Sequence, residues 1–258
     1  MTRCRIKSKG KSQNSKQVAK YYVLDTQYSI LKMILQIETA TTVCSVALSK
    51  DGEVLAVKQM DQRNIHAEVI TLYIEELLTT TGTKYSHLDA IAVSCGPGSY
   101  TGLRIGISTA KGLCYALDKP LIAIETLEAM AYGAISESKL ATGDTLLCPM
   151  IDARRMEVYT AIFNTKGARI NPTTAEIIDE NSFAELLNSN KILFFGDGAE
   201  KCRETLNNSN ALFLEGFANS ASYLTKRATE KFAAKDFEDV AYFEPYYLKD
   251  FIAGKKKA

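Results

Sequence analysis

From Met33 onward the apolar residues change their period in a fixed order, and that order restricts the fold more than composition does. Ile34-Leu35-Gln36-Ile37 and Val43 to Leu48 are short, nearly continuous apolar runs, the pattern of buried strands. Lys50-Asp51-Gly52 between Leu48 and Glu53 reads as a tight hairpin, because Asp-Gly readily takes positive φ, and Glu53 to Gln59 returns as a third strand. Ile65 to Leu78 has helical spacing and stops before Gly82. Leu88 to Cys95 is a strand, a glycine-rich turn leads into a helix from about Ser99 to Leu117, and Lys119-Pro120 breaks it. A strand at Leu121 to Ile124 and a helix at Thr126 to Ile135 complete the run. A weaker echo follows: strands at Leu146 to Ile151 and Val158 to Phe163, a short helix at Ser182 to Leu187, and a strand at Lys191 to Phe195. A helix opened by Gly196-Asp197-Gly198 and a last helix from Asn219 to Ala234 end it. Two β-β-β-α-β-α halves, the second degenerate, predict an α/β fold of two related subdomains, 33–136 and 137–258. The boundary falls near 136–145, where Ser, Glu, Lys, Thr and Gly cluster.

Charge separates the first 32 residues from the rest. They carry eight basic groups against one acid, Asp25, so that from Met33 onward 23 basic residues face 29 acidic ones, a net of −6. An acidic body argues against gripping an RNA backbone unaided. The basic extension reads as a disordered segment, as a nucleic-acid arm, or as sequence ahead of a true start at Met33. It has no apolar core of signal-peptide length, and its Gly10-Lys11-Ser12 lacks the first glycine of a phosphate-binding loop, with Arg5 in that place. No stretch reaches the roughly 18 uncharged apolar residues of a membrane span. The six cysteines are scattered without a CxxC pair, and Cys44, Cys95, Cys114 and Cys148 sit in apolar runs. Reduced core thiols in a cytoplasmic protein are expected.

The sharpest local feature is Ser94-Cys95-Gly96-Pro97-Gly98-Ser99, followed by Tyr100 to Gly106. A buried strand ending in Gly-Pro-Gly at a helix start bares backbone N–H groups that could hold an anion at Gly96, Gly98 and Ser99. It is equally the tight turn that a strand-to-helix junction needs, and the spacing is wrong for a dinucleotide fingerprint. On the first helix, apolar residues from Ile65 to Leu78 spread over roughly 240° at about 100° per residue. One core needs a stripe little wider than about 100°, so this helix should be covered from two sides. On the second, Gly98, Gly102, Gly106, Ala110 and Cys114 recur every four residues. Such a small-residue face packs closely either on another chain or on the protein's own sheet.

Only two histidines occur, His66 and His87, and the residue one turn after His66 is Ile70. That excludes a turn-spaced histidine pair for a metal, and no Ser-His-Asp or Cys-His arrangement is legible. No metal ligands and no catalytic residues are expected.

Four segments together resemble one family. Cys95 to Gly106 is similar to the motif marking TsaB and its sister subunit TsaD, and Ile37 to Leu48 to the TsaB opening strand and hairpin. Asp152-Ala153-Arg154-Arg155-Met156-Glu157-Val158-Tyr159 is similar to the start of its second subdomain, and Glu244-Pro245-Tyr246-Tyr247-Leu248 to its C-terminal strand or cap. The resemblance covers essentially Met33 to Phe251. It implies the duplicated fold of actin, sugar kinases and acetate kinase. It implies a non-catalytic subunit supporting TsaD, with the ATPase TsaE, in transfer of threonylcarbamoyl from its adenylate to the adenosine beside the tRNA anticodon. The tRNA would be met only through the complex. It assigns the partner face to the first two helices, through Ile65, Val69, Ile70, Leu72, Tyr73, Ile74, Leu77, Gly102, Gly106 and Ala110, with a homodimer through the same helices when TsaD is absent. It leaves Glu38, Thr39, Gly96, Gly98 and Ser99 as a vestigial phosphate site with room for weak ATP or ADP binding and no other cofactor. Glu38 stands where the family usually has Asp. One methylene more puts a shared metal geometry in doubt, and a surface carboxylate at a strand end is the other reading.

Two other functions compete with the scaffold. An autonomous ATP-dependent phosphotransferase of the same fold has against it Glu38 and the small second half, and a metalloprotease lacks its histidine pair.

Overall fold

The computed structural model describes residues 32–249. The basic extension before Lys32 and the last nine residues lie outside the described residues, and with them the expectations placed on that extension. The first half runs β1 (Met33–Glu38), β2 (Val43–Lys50), β3 (Glu53–Asp61), α1 (His66–Thr80), β4 (Ala90–Ser94), α2 (Tyr100–Leu117), β5 (Leu121–Ile124) and α3 (Thr126–Glu137). The second runs β6 (Leu146–Asp152), β7 (Glu157–Phe163), β8 (Arg169–Ile177), α4 (Ala184–Leu187), β9 (Ile192–Phe195), β10 (Ala211–Phe213) and α5 (Thr225–Ala234).

The two five-stranded sheets have one plan. The first is ordered β3-β2-β1-β4-β5 and the second β8-β7-β6-β9-β10. In each, the first three strands are an antiparallel meander and the last two join parallel to the first strand. The two halves thus repeat one α/β plan, with shorter helices in the second. β1 and β2 are buried along nearly their whole length, as central strands covered on both faces are. Asp51 and Gly52 close the first hairpin at φ +53° and +85°, the left-handed backbone that Asp-Gly accommodates.

Several elements differ from the sequence reading. β8 is an edge strand whose exposed half, Arg169 to Pro172, is polar and interrupted by proline, so it lacks the apolar alternation of a strand. β10 is only three residues long. After Gly196-Asp197-Gly198 the chain makes a 3-10 turn, Glu200–Cys202, in place of a helix. Cys202 and Leu206 drop into the core there, and the polar run Asn207 to Asn210 stops further winding. The last helix begins as a 3-10 turn, Ala221–Leu224, capped by Ser220, before α5. The segment around Glu244-Pro245 is extended and caps the first half without forming a strand.

The helices also cross the expected division. Leu127, Met130, Ala131 and Ala134 of α3 share a core with Leu147, Ile151, Phe163 and Phe195 of the second sheet. Leu224 and Ala228, from the C-terminal end, pack instead on Ile34, Ala90, Ala92, Ile122 and Ile124 of the first sheet. Residues from about 221 onward therefore belong by packing to the first sheet. Apolar periodicity marks which residues are buried but not which sheet buries them.

Candidate functional site

The residues expected at a phosphate site do converge, at the C-terminal ends of β1 and β4. Glu38 ends β1 and is 1% exposed, an interior carboxylate and not the surface group that its strand-end position allowed. Its Oε1 accepts the Ala40 N–H at 2.6 Å and the Ser94 hydroxyl at 2.9 Å. Loss of water raises its pKa to about 7, against the lowering effect of these hydrogen bonds. Asn219 lies against the same carboxylate, yet its Nδ2 has no hydrogen bond of ordinary length.

The two turns close directly on one another. The Thr39 hydroxyl donates to Gly102 O at 2.8 Å, and the Ser99 N–H to Ala40 O at 2.7 Å. Ser99 caps α2 by accepting the Gly102 N–H. Gly96, at φ +119° before a cis Pro97, accepts the Thr126 N–H on its carbonyl. A methyl group on Gly98 would meet the Ala40 side chain at 2.7 Å, and one on Gly96 the Tyr246 carbonyl at 2.5 Å. Tyr246 N–H donates to Cys95 O at 2.8 Å, so the C-terminal segment lies across the Gly-Pro-Gly turn. Of the three expected anion donors, the Ser99 N–H is thus engaged within the protein, on Ala40 O.

The same contacts correct the reading of the small-residue face. At Gly102 and Gly106 an added methyl group would collide with the carbonyl and the hydroxyl of Thr39. Ala110 and Cys114 are buried in the first core. Gly102, Gly106 and Ala110 therefore face the chain's own β1–β2 turn and sheet, and not a partner. On α1, Ile70, Tyr73, Ile74 and Leu77 are core residues packed on β2, also unavailable to a partner. Ile65 and Val69 are half-buried at the rim, and Leu72 is 54% exposed.

The outward side of the α1–α2 pair is consequently built from other residues. Leu72 lines a shallow depression of about 550 Å³ with Glu75, Glu76, Thr79 and Thr80. On α2, Ile105 and Leu113 are half-buried and pack in part against the first core, Gly112 has open space where a side chain would be, and Tyr115 is 87% exposed. Ile105 and Leu113 lie eight residues apart, a spacing that signals one helix face, masked in the sequence by the more regular glycines.

His66 is spent on structure: its Nε2 donates to Val43 O at 3.2 Å and seats α1 on β2. Among the described residues no group of three His, Cys, Asp or Glu side chains is placed to hold a metal ion. Cys44, Cys95, Cys114, Cys148 and Cys202 are free and buried. No helix among the described residues is long and apolar enough to cross a membrane.

Comparison with known proteins agrees with this architecture. Residues 60–254 match the family model described as TsaD, tRNA N6-adenosine threonylcarbamoyltransferase. The tRNA threonylcarbamoyladenosine biosynthesis protein TsaB of Escherichia coli is 33% identical over 229 residues, covering 86% of this chain and 97% of that protein. TsaB of Bacillus subtilis is 30% identical over 228 residues, covering 84% and 93%. The structure of YeaZ from Pseudomonas aeruginosa superposes with a TM-score of 0.72 at 25% identity, over 84% of this chain and all of that one. Nearly full-length similarity to TsaB, together with the shared fold, means that this chain belongs to the TsaB (YeaZ) family.

Proposed function

We propose that this protein serves the biosynthesis of threonylcarbamoyladenosine in tRNA as a non-catalytic subunit. It holds TsaD on the outward side of α1 and α2, in a complex that also engages TsaE. The observation that carries this reading is the exposed Leu72 beside a depression on a helix whose opposite side is already filled by the core. A helix satisfied by its own sheet yet still presenting a large apolar side chain fits a protein contact. The inward use of Glu38, Thr39 and Ser99 favours support over chemistry at the phosphate position.

The test is reconstitution. The purified chain alone should neither modify tRNA nor turn over ATP, and TsaD should co-purify with it and modify tRNA when the remaining components are supplied. ATP turnover by the chain alone, surviving removal of trace TsaD, would favour the phosphotransferase instead.

A further inference from the structure

The two hairpins that open the two halves are built from very different residues. The first joins β1 to β2 through residues 39–42, all buried or half-buried. The second joins β6 to β7, closed by Ala153 N–H to Glu157 O at 3.1 Å and Glu157 N–H to Arg154 O at 3.2 Å. Arg154 and Arg155 occupy it at φ +73° and +50°. Left-handed backbone is disfavoured for side chains other than Asn and Asp, and turns of this kind select Gly. Folding alone therefore gives no reason for two arginines here, and residues held in such a conformation cluster at sites of function.

The charges around the hairpin are arranged so that these two remain unspent. Asp152 accepts the Arg154 N–H at 2.9 Å and pairs with Lys201, which also donates to Glu157 O. Glu157 pairs with Lys249. Asp152 and Glu157 are thus paired with lysines, Asp197 accepts the Asp152 N–H, and both arginines are exposed, without an ion-pair partner among the described residues.

We propose that Arg154 and Arg155 form a contact for the phosphate backbone of RNA, made when the chain sits in its complex. Two adjacent guanidinium groups together present more donors than one carboxylate can use, which suits the repeated charges of a phosphate backbone. The chain from Met33 onward carries a net −6 with both arginines counted, so the contact is local and adds to binding by a partner. This inference rests on the proposed function, which supplies tRNA as the RNA.

The test compares the wild-type complex with TsaD against one carrying Arg154→Asn with Arg155→Gly, residues that the backbone prefers. The variant chain should melt no lower than wild type and should retain TsaD. Its complex should bind tRNA about tenfold more weakly near 0.1 M salt, with a salt-dependence slope smaller by about 2. Arg154→Lys with Arg155→Lys should keep most of the slope. Unchanged affinity and slope would overturn the inference. So would loss of TsaD by a well-folded variant, which would assign the arginines to a protein contact, or a lower melting temperature, which would assign them to the fold. If the wild-type chain fails to hold TsaD, the proposed function falls before RNA is added, and this inference falls with it.

Discussion

The Thr39 hydroxyl donates to the carbonyl of Gly102, 63 residues along the chain, and fills the space that Gly102 and Gly106 leave on α2. The β1–β2 turn is thereby locked against the N-terminal half of α2. The glycines are a condition of the fold, and the outward side of α2 is left to other residues.

Gly106→Leu should therefore act on stability. Its side chain has no direction that avoids Thr39, and overpacking of this kind costs about 1–3 kcal/mol or more. Urea unfolding of the purified variant measures it. A variant as stable as wild type would contradict the packing described.

Leu72 and Ile74 should separate cleanly, being about 160° apart around α1. Ile74 is 1% exposed, and Ile74→Glu should cost about 4 kcal/mol or more by burying an unpaired charge. Leu72→Glu should change stability by less than about 0.5 kcal/mol and abolish co-purification with TsaD. Thermal melts and co-purification of the two variants decide it. Normal TsaD binding by Leu72→Glu would move the interface elsewhere.

Glu38 should make stability fall as pH rises. Its pKa is about 7 in the folded chain against an ordinary value of 4.5, so the folded state holds the proton more tightly than the unfolded state. Its effect is fully favourable below pH 4.5 and is lost progressively up to about pH 7, amounting to about 3 kcal/mol. Glu128, Glu176 and Asp197 are also raised by burial, so the contribution of Glu38 is read as the difference from Glu38→Gln. That variant should flatten the decline between pH 5 and 7, followed by denaturant unfolding.

The buried thiols should be inert in the native protein. Burial raises Cys95 and Cys114 to about 12 and Cys44 to about 11. At pH 8 the thiolate fraction of Cys95 and Cys114 falls by about three orders of magnitude from that of an ordinary thiol. Peptide mapping after alkylation should find these cysteines unmodified until denaturant is added.

The order of strands and helices through β5 and α3, the Asp51-Gly52 hairpin, the duplicated plan and the family were all legible in the amino-acid sequence. The elements rest on local signals, period and turn chemistry, that neighbours in the chain decide, and the family on the resemblance of four segments. β8 and β10 escaped because an edge strand with Asn171-Pro172 and a three-residue strand carry almost no periodic signal. The features that were not legible depend on partners distant in sequence. Four-residue spacing shows that Gly102, Gly106 and Ala110 share a face of α2, but a small side chain admits any close neighbour, and only folding brings Thr39 there. A wide apolar arc on α1 does not say which of Leu72 and Ile74 meets the sheet. Nor does a carboxylate at a strand end reveal its burial: Glu38 is enclosed because Ser94, Ala40 and a segment starting at Asn219 converge on it from three parts of the chain. Secondary structure is set largely within a dozen residues, whereas the side a helix turns outward is set by whatever the rest of the chain has already covered.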